Sequence, residues 1–256
     1  MTAKDEGQLD IACDDLAARQ YSDYCRRTPG AYFGEDHPPL SLEDAYAVQA
    51  GVARLRAQDG VAVTGYKLGC IGAKVREQFG MDGPVRGFLY EDELHRSGAV
   101  IPWSRHAGLA IEGEMAVRLG DEGEIVAAFP VIELHNYVFQ APRKTLMELI
   151  ANNGLNAGAV LPTTEAATAD VACLDAGEIE VRPNGAQLER GPLWGFGTPE
   201  AALHWLRDHL SRFGLALRPG QLVLTGTALG LHTVRPGDRL DVSAGVFGSV
   251  NMTVGD

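Results

Sequence analysis

Two glutamates, Glu112 and Glu114, interrupt the apolar stretch "GLAIEGEMAVRLG" between Gly108 and Gly120. The stretch is short, rich in hydrophobic residues and bounded by glycine, which predicts a strand. In a strand, residues i and i+2 share a face. Both carboxylates then project together, and Gly113 faces the other way. Such a strand has one apolar face for a core and one face that concentrates negative charge. Like charges this close repel and lose hydration, so one group must take a proton unless a cation intervenes. Hard oxygen donors suit Mg²⁺, Mn²⁺ or Ca²⁺. The pair also fits an edge strand with both side chains in water, because glutamate is mostly exposed.

Three other stretches bear on that choice. "FPVIELHNYVF" sets Glu133, His135 and Asn136 in a second apolar run, where a third carboxylate would complete an oxygen site. If that strand alternates, His135 shares the face of Glu133 and reads as a general base, an outer partner of Glu133 or a structural histidine. "TGYKLGC" puts Lys67 in an apolar strand, and lysine is rarely buried without a partner. "VLTGTALG" presents Thr225, Gly226 and Thr227 at a strand end, where N–H and hydroxyl groups are suited to an oxyanion.

The chain has 256 residues and a net charge of -12, which argues against a nucleic-acid partner. The four cysteines lack CxxC spacing and read as reduced thiols. The start "MTAKDEGQLD" is not a secretory signal, and no stretch of 18 apolar residues occurs, so the expectation is no membrane span and a cytoplasmic location.

Helical spacing is predicted over 9–28, over 41–60 with Ser41 and Asp44 as a capping box, over 143–151, and over 198–213. In the last of these, Thr198 is the N-cap, Pro199 is N1 and Gly214 follows the end. After Gly60 the texture becomes short strands punctuated by glycine, with Asn184-Gly185 as a hairpin turn. The predicted organisation is a helical segment over 1–60 and a metal-binding mixed β catalytic domain over 61–256. No GxGxxG or GxxxxGK occurs, which disfavours a doubly wound nucleotide fold.

The pieces "LEDAYAVQ", "GYKLG", "GMDGP", "IEGEMAVRL", "PVIEL", "NGLNAGAVLP" and "VLTGT", in this order, resemble the 2-hydroxypentadienoate hydratase and 4-oxalocrotonate decarboxylase family. That family lies within the fumarylacetoacetate hydrolase superfamily. The resemblance implies an α+β fold, with a mixed β-roll or sandwich core behind a helical N-terminal part. It implies one Mg²⁺ or Mn²⁺ held by Glu112, Glu114 and Glu133, chelating a small 2-oxo acid substrate. It gives Lys67 a role in substrate binding or proton transfer, puts Asp82 on a loop that closes the site, and sets Asn156 beside the substrate. The implied reaction is hydration or decarboxylation; the alternatives are an acylpyruvase-like C–C hydrolase and a non-catalytic partner subunit. A homo-oligomer and a complex with a related family member are also implied.

The chain departs from the pattern in three places. His135 and Asn136 follow "PVIEL" where the family has a small residue and an aspartate. The spacing from Glu114 to Glu133 is shorter than usual. Arg76 stands where the family has glutamine; it reads as a surface charge or as a clamp for a second carboxylate.

Overall fold

The computed structural model describes residues 3–27, 40–136, 145–167 and 177–256, with side chains described from residue 13 onward. Helices α1 (Ala3–Arg26) and α2 (Leu42–Gln58) come first, and strand β1 (Val63–Gly69) follows, so the change of texture falls on either side of residue 60. Ser41 accepts from the Asp44 N–H while Asp44 accepts from the Ser41 N–H, the reciprocal bonds that start α2. Helix α3 (Ala73–Phe79), which periodicity did not predict, has no buried residue. An element without an apolar face leaves no hydrophobic period to detect.

The remaining elements are β2 (Val85–Tyr90), β3 (Leu94–Arg96), β4 (Ala99–Pro102), β5 (Leu109–Leu119), β6 (Ile125–Asn136), α4 (Leu146–Ala151) and β7 (Asn156–Leu161). They continue with β8 (Ala166–Ala167), β9 (Glu178–Pro183), β10 (Glu189–Pro192), α5 (Pro199–Arg212), β11 (Leu222–Leu224), β12 (His232–Thr233), β13 (Arg239–Ser243) and β14 (Ser249–Gly255). One sheet runs β2-β1-β11-β5-β6-β7 and adds short strands at its margins. The other runs β10-β9-β13-β14-β4. This mixed α+β architecture matches the expectation. Thr198 caps α5 by accepting from the Ala201 N–H, and Leu203, Leu206 and Leu210 are buried. Asn184 and Gly185 both adopt positive φ, 52° and 80°, between the antiparallel strands β9 and β10.

The β5–β6 pair separates two environments. Ile111, Met115 and Val117 on one face join Ile132 and Leu134 in a core shared with Val181, Val242 and Met252 of the five-stranded sheet. Gly113 belongs to that face: a Cβ there would lie 2.5 Å from Val181 Cγ2, so any side chain would force the sheets apart. The opposite face packs Ala116, Phe129, Val131, Leu222 and Leu224 into a separate apolar cluster, and along it lie Glu112 and Glu114. The helices form a third cluster, in which Tyr46 and Val48 of α2 meet Ile150 of α4 and Val85 at the start of β2. Among the described residues, no helix is long and apolar enough to cross a membrane.

Candidate active site

Strand register brings the charged residues together. Glu112 of β5 stands directly opposite Glu133 of β6, and Ala110 stands opposite His135. Glu114, two residues further, faces Val131. On the other side of β6, His135 pairs with Asn156 of β7, after an irregularity in the ladder between Glu133 and His135. Lys67 comes from farther away: it aligns with Leu224 of β11, which aligns with Ala116 of β5. Since Ala116 follows Glu114 on the same face, Lys67 enters the same interior.

The contacts are short and dry. Lys67 Nζ lies 3.1 Å from Glu133 Oε1. Asn156 Nδ2 donates to that same oxygen at 2.7 Å, and Asn156 Oδ1 accepts from the Gly158 N–H at 3.0 Å. His135 Nε2 is 3.4 Å from both Glu112 Oε2 and Glu133 Oε2. Both oxygens of Glu114, Glu133 Oε2 and both ring nitrogens of His135 are buried without a hydrogen-bond partner. Glu114 and Glu133 are 0% exposed; the Glu112 side chain, at 23%, connects the cluster to solvent. A carboxylate oxygen of Glu112, one of Glu133 and a ring nitrogen of His135 lie within 4.8 Å of one another, a spacing that a single metal ion spans.

The ionisation pattern follows from burial and charge. Burial pushes the Glu114 carboxyl well above its ordinary range, and the neighbouring Glu133 and Glu112 add to that. Burial acts the same way on Glu133, but Lys67, His135 and Asn156 outweigh it and hold Glu133 below the ordinary range. Burial alone would discharge Lys67; instead Glu133, Glu112 and Glu114 raise its pKa. His135, likewise opposed by burial, is raised to about 9 by Glu133 and Glu112. Three carboxylates crowded in a low dielectric therefore recruit every cation and proton within reach.

The other expected residues fall outside this knot. Asp82 is exposed on the turn between α3 and β2 and lines a separate cavity of about 410 Å³, whose walls include Tyr46, Met147, Trp205, His209 and Arg212. The residue beside the Lys67 ammonium is Val85: a Cβ built on Gly69 would meet Lys67 Nζ at 3.0 Å and Val85 Cγ2 at 3.4 Å. The expected oxyanion contact from Thr225 is not met, because its N–H and hydroxyl both donate to the Met115 carbonyl, at 3.1 and 2.9 Å. Gly226 is pressed against Ile71, and the Thr227 hydroxyl accepts from the Leu229 N–H. Asn136 accepts from the Ala107 N–H and so pins the end of β5. Arg76 is half-buried on α3, with its Nε unpartnered. His37, which the sequence sets in a loop rich in proline and glycine and which is not expected in the site, lies outside the described residues.

Two contributors escaped sequence reasoning. Val85 gives no signal as an ordinary strand residue. Asn153, at φ 55°, exchanges two hydrogen bonds with Phe88 and locks the turn after α4 against β2 beside Lys67. Its one available sequence cue is the run Asn152-Asn153-Gly154, residue types that tolerate positive φ.

The chain is similar to known hydratases and decarboxylases. The chain is 28% identical over 236 residues to the 2-oxo-hept-4-ene-1,7-dioate hydratase of Escherichia coli, covering 84% of this chain and 88% of that protein. It is 25% identical over 229 residues to a 4-oxalocrotonate decarboxylase of Pseudomonas putida, covering 84% and 86%. The structure of 4-oxalocrotonate decarboxylase from Pseudomonas putida G7, complexed with magnesium and adipate, superposes with a TM-score of 0.89 over 95% of this chain and 97% of that one, at 21% identity. That likeness establishes the fold. Residues 82–255 match the fumarylacetoacetate (FAA) hydrolase C-terminal family, which is most of the chain, and the protein therefore belongs to that family.

Proposed function

We propose that this protein is a divalent-metal-dependent lyase that hydrates or decarboxylates a small 2-oxo or 2-hydroxydienoate acid. The observation that carries this reading is the buried cluster of Glu112, Glu114, Glu133 and Lys67, with its unpartnered oxygens. Protons on Glu114 and His135 offset the crowded carboxylates in the metal-free cluster, and a divalent cation would take the place of those protons. The hydratase and decarboxylase relatives, one with magnesium in its structure, support the same chemistry.

Glu112, Glu114 and Glu133 would hold Mg²⁺ or Mn²⁺, which when bound supplies Lewis-acid polarisation of the substrate's carboxylate and 2-oxygen. Lys67 Nζ stays protonated beside Glu133 and is positioned to hold the substrate carboxylate or donate a proton to its carbon chain. Asn156 fixes the orientation of Glu133 through Oε1, leaving Oε2 free. Val85 and Gly154 exclude water from the flank of the ammonium. Asp82 lines a separate cavity, Gly226 packs on Ile71 and Thr227 bonds Leu229, so this reading assigns none of the three a step. A C–C hydrolase needs a base that faces water; His135 is only 4% exposed and faces two carboxylates, which favours the lyase. A homo-oligomer is supported by Val100 on the outer strand β4 and by Val246, 65% and 78% exposed.

The test is a screen of 2-hydroxydienoates, 4-oxalocrotonate-like acids and acylpyruvates with Mg²⁺ or Mn²⁺, followed by ultraviolet absorbance. Metal-dependent loss of the dienoate band supports the lyase. Turnover of acylpyruvates alone would make it a hydrolase, and no turnover with metal bound would point to a partner subunit.

A further inference from the structure

We propose that His135 is a direct ligand of the metal ion, which gives this protein a mixed nitrogen and oxygen donor set and a preference for Mn²⁺, Fe²⁺ or Co²⁺ over Mg²⁺. This inference rests on the reading of the cluster as a divalent-metal centre. Its first support is placement. Nε2 of His135 lies 3.4 Å from an oxygen of Glu112 and from one of Glu133. Two ligands on one ion with bonds of ~2.1 Å are at most ~4.2 Å apart, so the imidazole already stands at ligand spacing. The second support is that His135 has no partner outside the cluster: its ring meets only the carboxylates of Glu112 and Glu133, and neither nitrogen makes a well-formed hydrogen bond among the described residues. The third is register: the backbone irregularity after Glu133 faces β7, while the β5 ladder stays in step through Ala110, so the imidazole is held on the carboxylate face.

Glu112, Glu133 and His135 stand at ligand spacing, and with Glu114, which the resemblance implies, the donors would number four. A six-coordinate ion so held would leave room for the two oxygens of a 2-oxo carboxylate. Imidazole nitrogen binds Mn²⁺ through Co²⁺ better than it binds Mg²⁺, whose chemistry prefers oxygen alone. A ligated imidazole has no lone pair left for water, so His135 is not the base of the reaction.

The experiment loads Mn²⁺ into the chelator-stripped protein and records electron spin-echo modulation, with and without ¹⁵N-histidine labelling. The expected result is a nitrogen coupling that changes from the ¹⁴N to the ¹⁵N pattern on labelling, without any substitution. Bound Mn²⁺ with no nitrogen coupling would overturn the assignment and leave the carboxylate site intact. No Mn²⁺ bound at all would overturn the metal centre itself, and the assignment with it. Calorimetry of His135→Gln adds a second reading: Co²⁺ affinity is expected to fall ~10–100-fold while Mg²⁺ affinity changes less than about threefold. An equal loss for both ions would contradict a nitrogen ligand.

Discussion

Two of the buried cations, Lys67 and Arg86, are held in opposite ways. Lys67 sits among Glu112, Glu114 and Glu133, which raise its pKa against the effect of burial. Arg86, one strand away on β2, is 1% exposed, and no carboxylate pairs with it among the described residues. Its guanidinium lies 4.7 Å from the ring centres of both Tyr46 and Phe88 and 5.4 Å from that of Phe213. One nitrogen donates to Gln49 Oε1 at 2.5 Å, and Gln49 returns a bond to the Arg86 carbonyl. Burial pulls its pKa down from the usual arginine value, although arginine remains charged. Arg86 thus cross-links α2 to β2 through rings and one amide, although its Nε is also buried without a hydrogen-bond partner. The carboxylates around Lys67 are not satisfied, because several of their oxygens have no partner. Buried charge alone does not mark a site; three carboxylates crowded around one ammonium, with several orphaned oxygens, make the Lys67 cluster the candidate.

The sharpest way to break this contrast is to remove each cation in turn. Lys67→Met should keep the fold and lower turnover by ~10²–10⁴-fold, the usual scale for a lost proton donor or anchor. Activity assays beside circular dichroism check this; retained turnover would move the proton chemistry elsewhere. Arg86→Met should do the reverse, costing about 2–3 kcal/mol of stability through lost ring contacts and an unpaired Gln49. Denaturant titration measures the loss, while kcat of the folded protein should stay within about threefold. A large fall in kcat at unchanged stability would give Arg86 a role in the chemistry.

A smaller effect tests whether Arg86 is charged. His209 stacks on Trp205 at 4.7 Å, and its pKa is lowered to about 4 by burial, then by Arg86 and Arg212. Its folded pKa lies below the unfolded value of about 6.5, so the unfolded chain binds the proton first as pH falls. Stability is therefore full above pH ~6.5, declines toward pH ~4 and levels off below, by about 1–2 kcal/mol from this group after allowing for partial solvent screening. Proton resonance titration of His209 in Arg86→Met should show its pKa moving back up. No movement would mean that burial alone sets it.

Much of this was legible wherever the signal is local. Ser41 with Asp44, Thr198 with Pro199, and Asn184-Gly185 act within a few residues and have the expected geometry. The alternation around Glu112, Gly113 and Glu114 also announced two faces, and Gly113 meets Val181 on the far one. What stayed hidden depends on neighbours distant in sequence. Val85 beside Lys67, Asn156 holding Glu133 and Thr225 turned to Met115 arise from strand pairing across the sheet. Arg86 was invisible because its ring cage comes from α2, β2 and the end of α5. The resemblance named the carboxylates; the register explains how Lys67 meets them from two strands away.

The most direct measurement is an anomalous difference map from crystals of the protein soaked in Mn²⁺ and oxalate, collected at the manganese edge. A single strong peak between Glu112, Glu114, Glu133 and His135, with oxalate bound to it and Lys67 at its side, is the expected result. A peak on surface carboxylates only, with the interior cluster left to its own protons, would contradict the assignment of these buried charges to a metal-dependent reaction.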